Sequence, residues 1–166
     1  MKRLITLLLA LSMALCACAF PGSHEGQTAF YYPVAASSYT MEEAYIQPEY
    51  RQISDTELSQ LLCVYLLGPQ DNQSFSSPFP AGTGLVSVSM EDGLLDVTLS
   101  TGFSACTGLE LTIACACLTM TCLELTQAET VRIRADGAQL DGAPWVQMQR
   151  SDLLLTDPGK DVTQTK

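Results

Sequence analysis

Val86-Ser87-Val88-Ser89-Met90-Glu91-Asp92-Gly93-Leu94-Leu95-Asp96-Val97-Thr98-Leu99 is the stretch that decides the fold. On both sides of Asp92-Gly93 apolar residues alternate with polar ones, the period of a half-buried strand. Asp-Gly favours a two-residue turn, because both central positions of such a turn take positive φ. A turn of that length sets Met90 opposite Leu95, Val88 opposite Val97 and Val86 opposite Leu99. All six apolar side chains then share one face, so turn chemistry and hydrophobic pattern specify one register.

Upstream, Ser54 and Glu57 have the spacing of a capping box, in which each side chain satisfies a free N–H at a helix start. Leu58, Leu61, Leu62, Tyr65 and Leu66 follow at the spacing of one helical face. Gly68-Pro69 ends that helix, through a left-handed cap and a missing donor. Residues 70–84 read as a loop rich in Ser, Pro and Gly. Thr28 to Val34 is aromatic and β-branched and reads as a strand, with Pro33 pointing to an edge position. Residues 35–40 form a small-residue loop, and 43–53 read as a second strand that Pro48 interrupts.

Downstream, Thr107 and Glu110 repeat the capping-box spacing, and a helix starts near Gly108. Residues 109–123 are almost wholly apolar or Thr, so this helix belongs deep in the core or at an interface. Glu110, the many threonines and the lack of basic flanks argue against a membrane span. Val131, Ile133 and Ala135 then alternate inward while Arg132 and Arg134 point outward. Asp136-Gly137 turns the chain, and a last strand covers Trp145 to Gln149. Strand, helix, hairpin, helix, strand is an α+β order: a small mixed β-sheet with two helices packed on one face.

The ends read differently. Of 166 residues, 47% are hydrophobic and 16% charged, enough for one domain with a core. Residues 1–17 carry Lys2 and Arg3, then an apolar run from Leu4 to Leu15 that is short for a membrane span but suits a signal peptide. The run closes on Leu15-Cys16-Ala17-Cys18, an aliphatic residue, a small pair and a cysteine. That is a lipoprotein signal, and Cys18 is the residue expected to carry the lipid. Cys16 is a poorer acceptor, since Leu15 would then fill the slot before the cut. An ordinary secretory signal cut near Ala17 or Ala19 is the alternative. The expected organisation is a signal peptide over 1–17, a lipidated tether over 18–27, a domain over 28–150 and a polar tail over 151–166. The expected location is extracytoplasmic, on the cell membrane. The nine tether residues 19–27 reach at most about 30 Å, so the domain rides close to the membrane.

Without residues 1–17 the chain keeps 6 basic and 18 acidic residues, a net charge of −12. Nucleic acid and anionic head groups are therefore not expected partners. His24 is the only histidine and lies in the tether, which leaves no framework for a Ser/His/Asp or Cys/His nucleophile. Asp92, Asp96, Glu110 and Asp136 each have a local place: turn, polar strand face, helix start and turn. They do not argue for a paired acid and base. Cys115 and Cys117 lie two apart on a helix and point about 200° apart, so they cannot share one metal ion. Cys63, Cys106, Cys115, Cys117 and Cys122 read as small buried hydrophobes, or else Cys63 bridges to a cysteine of the second helix. No catalytic residue, metal or cofactor is expected. Arg132 and Arg134 form a local basic strip in an acidic protein. It either blunts a sheet edge or docks an acidic surface of a neighbour.

In their order along the chain these elements resemble the GerMN domain of GerM-type sporulation and spore-germination lipoproteins. The resemblance covers residues about 28–140. It rests on Phe30-Tyr31-Tyr32-Pro33, on Leu61-Leu62 through Leu66-Leu67-Gly68-Pro69, and on Pro80-Ala81-Gly82-Thr83. Asp92-Gly93 with Asp96-Val97-Thr98-Leu99-Ser100, Phe103, Glu110, and Val131-Arg132-Ile133-Arg134-Ala135-Asp136-Gly137 complete it. The thiol-rich second helix and the single copy depart from the pattern. The resemblance implies a ring-building-like module with a non-enzymatic scaffold or assembly role at the cell envelope. Expected partners are the membrane, through the lipid, and a second copy or other envelope proteins. An envelope lipoprotein that binds peptidoglycan or another ligand is the alternative, which clustered surface aromatics would favour.

Overall fold

The computed structural model describes residues 26–53 and 56–153. Cys18, the signal segment, Ser54 and most of the C-terminal tail lie outside these residues.

The hairpin forms as its pattern requires. Strands β3 (Leu85–Glu91) and β4 (Leu94–Leu99) pair antiparallel, with Met90 on Leu95 and Val88 on Val97. Asp92 and Gly93 both take positive φ, 47° and 78°, which is the geometry the two-residue turn demands. The third expected pair is displaced. An irregularity between Leu85 and Ser87 places Leu85, not Val86, opposite Leu99 and leaves Val86 exposed. A bulge inserts one residue into a strand and turns its neighbour to the other side.

Strand β5 (Thr130–Ala135) lies parallel to β4, with Leu95 on Val131, Val97 on Ile133 and Leu99 on Ala135. These six side chains are the inner face of the sheet, each fully or almost fully buried. Strand β6 (Val146–Gln149) pairs antiparallel with β5 and completes the order β3-β4-β5-β6. A parallel pair needs a crossover, here made by the helix between β4 and β5.

The N-terminal strands form a separate antiparallel ribbon, β1 (Thr28–Pro33) on β2 (Ile46–Arg51). The mixed sheet of the α+β expectation is thus the four-stranded one, with the two-stranded ribbon beside it. Pro48 is tolerated opposite Tyr31, because each strand of a ribbon keeps one unpaired side.

Helix α1 (Leu58–Leu66) buries Leu62, Tyr65 and Leu66. Its N-cap is Glu57, which makes no side-chain cap bond, so Glu57 does not serve as the third residue of a capping box. Gly68, at φ 99°, ends the helix. Helix α2 (Gly108–Leu125) has Thr107 at its N-cap as expected, again without a side-chain bond. Asp141 Oδ2 instead accepts the Gly108 N–H at 2.7 Å. By length and composition α2 could cross a membrane, but half of it is buried here, against β1 on one side and β5 and β6 on the other. Between ribbon and sheet an aromatic cluster fills the core. The Tyr65 ring stacks 5.6 Å from Phe30, lies 5.0 Å from Tyr32 and meets Phe79 edge-on at 5.3 Å. The short 3-10 turn Arg150–Asp152 closes the described chain, and Leu153 packs onto the core.

Candidate interaction surfaces

Alternation in β4 and β5 sends Asp96, Thr98, Arg132 and Arg134 to the side of the sheet away from the core. Arg132 and Arg134 therefore sit on an interior strand, flanked by β4 and β6. They cannot blunt an edge, which corrects one of the two roles expected of them. The parallel register brings both to one carboxylate. Asp96 Oδ2 accepts from Arg134 Nη2 at 2.8 Å and from Arg132 Nη1 at 3.3 Å. Arg132 also donates to Gln147 Oε1 from Nε and Nη2, at 3.3 and 3.2 Å. Both guanidinium carbons lie over the Trp145 ring, 5.4 and 5.5 Å from its centroid. Trp145 is 44% exposed. Tryptophan and arginine are the residue types that dominate binding energy at protein interfaces. The strip is visible in the sequence, but its partners are not: Asp96 reaches it through the β4–β5 pairing across the crossover, and Trp145 through the β5–β6 pairing.

A second arginine cluster escaped the sequence reading. Arg51 and Glu49 are both buried in the ribbon. They form an ion pair in which Arg51 Nε also donates to Glu49 Oε2 at 2.6 Å. Arg51 Nη2 donates to the Gly68 carbonyl at 2.8 Å and to Tyr32 Oη at 3.0 Å. Glu49 Oε1 accepts the N–H groups of Gln70 and Asp71, each at 2.8 Å. Phe30 and Tyr32 lie beneath the guanidinium at 4.9 and 5.5 Å. Tyr32 in turn donates to the Tyr65 carbonyl at 2.8 Å, and burial holds its phenol well above its usual pKa. This network fastens the segment after α1 to the ribbon.

The cysteines divide by exposure. All five described thiols are free, with Cys63 exposed and Cys106, Cys115, Cys117 and Cys122 buried. No bridge joins Cys63 to α2. Burial pushes Cys115 and Cys122 up to about 12, so both stay protonated and act as apolar fillers. Among the described residues no three Cys, His, Asp or Glu side chains gather as a metal site. Asp92 and Asp136 stand in turns and Glu110 in the first turn of α2, as the sequence placed them.

On the helix side of the sheet, two cavities adjoin. One, of about 420 Å³, runs between the Ser76–Pro80 segment and the start of α2, with Tyr45, Phe79, Glu110 and Ile113 in its walls. The other, of about 270 Å³, includes Tyr45, Ile46, Ile113, Ala116, Met148 and Asp152. Of the five tyrosines in the N-terminal third, Tyr32 is buried and Tyr31 half-buried, while Tyr39, Tyr45 and Tyr50 are exposed. Tyr39 packs edge-on against Tyr45, 5.4 Å away.

The fold is similar to the first GerMN domain of the sporulation protein GerM from Bacillus subtilis. The TM-score is 0.57 at 18% identity, over 76% of this chain and 98% of that one. It is also similar to the tandem GerMN domains of the same protein, at TM-score 0.53 and 15% identity, over 67% of this chain and 39% of the tandem. A putative lipoprotein from Clostridium perfringens aligns at TM-score 0.41 and 20% identity, over 76% of this chain and 88% of that one. A comparison with curated protein sequences finds no match. The model of the family Germane, sporulation and spore germination, matches residues 29–141, from β1 through β5 to the turn beyond it. The chain therefore belongs to the Germane family, the GerMN domains of sporulation and spore germination.

Proposed function

We propose that this protein is a lipid-anchored, non-enzymatic assembly module of the cell envelope that acts in sporulation or germination. The family match over residues 29–141 carries the reading. The signal-like start ending at Cys18 supports the anchor. Its lipid would hold the domain at the outer side of the cell membrane on a short leash. Arg132, Arg134 and Trp145 would dock an acidic surface of a neighbour, either a second copy or another envelope protein. The two arginines share one carboxylate, so the strip keeps a net positive charge on an acidic molecule. An exposed tryptophan beside it supplies the apolar contact that charge alone does not.

Two changes test this reading separately. Cys18→Ala should move the protein from the membrane fraction to the soluble fraction; retention on the membrane would overturn the anchor. Arg132→Glu with Arg134→Glu should abolish self-association or partner capture in crosslinking from sporulating cells. Undiminished capture by a folded variant would overturn the docking role.

A further inference from the structure

We infer that the groove on the helix side of the sheet receives an amphipathic basic segment of a partner protein. Apolar residues of that segment would enter between Tyr45 and Ile113, and its Lys or Arg side chains would meet Glu110 and Asp152. Tyr45 and Ile113 line both cavities, of about 420 and 270 Å³, so the two adjoin and together make the groove. Ile46, Ala116 and Met148 make the smaller cavity mostly apolar, while the larger mixes Phe79 with Ser76 and Ser77. The exposed side of α2 extends it, with Leu109 74% exposed one turn before Ile113. Each cavity carries a carboxylate, Glu110 on the first turn of α2 and Asp152 on the 3-10 turn, where Asp152 Oδ2 also accepts the Gln149 N–H at 3.0 Å. Among the described residues neither carboxylate is in an ion pair.

Charge selects the occupant. Of the described arginines, Arg51 is buried, Arg132 and Arg134 lie on the opposite side of the sheet, and Arg150 lines neither cavity. The groove thus pairs an apolar half with a mixed one and carries a carboxylate in each, on a molecule of net charge −12 after residue 17. Long-range attraction and the two carboxylates both favour a cationic partner. Seating an amphipathic segment by its apolar face in such a groove is a recurrent mode of peptide recognition. The groove and the sheet-face strip are separate surfaces, so either can fail without the other.

The test uses residues 19–166, which contain every described residue, and three fluorescein-labelled amphipathic peptides: leucine–lysine, leucine–glutamate and serine–lysine. Anisotropy at low salt should show binding of the leucine–lysine peptide alone. Ile113→Ser should weaken it about tenfold, as loss of a central apolar anchor does. Glu110→Gln with Asp152→Asn should weaken it similarly and flatten its salt dependence. Circular dichroism reports that the variants fold. Equal binding of either control peptide, or binding indifferent to Ile113→Ser, would overturn the inference. Three other results would also overturn it by naming a different occupant. A chain cut after Leu153 that binds far more tightly would identify its own C-terminal residues. A concentration-dependent dimer lost with Ile113→Ser would identify a second copy. Sedimentation with purified cell wall lost with Tyr45→Ala would identify a glycan.

Discussion

Arg51 and Arg134 each meet a carboxylate and an aromatic ring, yet the two clusters have opposite consequences. In the ribbon, the side chains of Arg51 and Glu49 are 4% and 9% exposed. Both carboxylate oxygens are occupied, and two rings cover the guanidinium from below. On the sheet, Arg134 and Asp96 are 38% and 24% exposed, and Trp145 stands open beside them. Removing charges from water is costly, so the inner cluster persists because Arg51 Nε and Nη2 and both Glu49 oxygens find partners. The outer cluster is partly exposed, although Arg134 Nε is itself buried, and an ion pair so placed contributes little to stability. The same residue types therefore act as a buried fastening in one place and stay partly exposed in the other.

The sharpest way to break that comparison is Arg51→Met. It leaves Glu49 buried without its cation and should cost about 3–5 kcal/mol in urea unfolding. Adding Glu49→Leu should recover part of the loss. Recovery stays incomplete, because the Gln70 and Asp71 N–H groups lose their acceptor. A single variant as stable as the wild type would show that burial does not distinguish the two clusters.

Alkali acts on a different buried set, the α2 thiols. Cys115 and Cys122 hold their protons to about 12, against 9.0 in an exposed chain, because burial disfavours the thiolate. The unfolded state thus binds fewer protons than the folded one above pH 9. The stability these thiols contribute is fully present below pH 9 and is lost progressively between 9 and 12. Buried Tyr32 and Tyr65 act in the same direction from pH 10 upward. Unfolding followed by far-UV circular dichroism should show the decline; a flat profile to pH 11 would mean that the α2 thiols are wetter than they stand here.

Asp96→Asn gives the smallest energetic effect, within about 1 kcal/mol, as for other exposed pairs. It should still loosen both guanidiniums from Trp145. The chain has one tryptophan, so its emission and iodide quenching report the change directly. Unfolding midpoints that fall as far as those of Arg51→Met would erase the distinction between the clusters.

Local chemistry was legible wherever neighbours in sequence are neighbours in space. Asp92-Gly93 announced the hairpin, the spacing of Leu58 to Leu66 announced α1, and the apolar run after Glu110 announced α2. What stayed hidden depends on distant pairings. Glu49 and Arg51 lie two apart on a strand whose Pro48 obscures its pattern, and nothing local marks them as buried; that follows from the core beneath the ribbon. Val86 follows the alternation, yet a bulge turns it outward. Arg132 and Arg134 were found by their charge, but their interior position and their sharing of Asp96 follow from the parallel β4–β5 pairing, which local pattern does not encode. Cys18, read from its neighbours alone, lies outside the described residues.

That parallel pairing also orders events in time. Strands β3 and β4 are joined by two residues and can close as a hairpin within microseconds. β4 and β5 cannot meet until the whole of α2 and its flanks have been drawn across, a non-local closure that slows folding. During that wait α2 has the length and hydropathy of a membrane span and no sheet over it. The apolar face of α2 thus stays uncovered until the crossover closes, and the last strands to pair are among those that bury it.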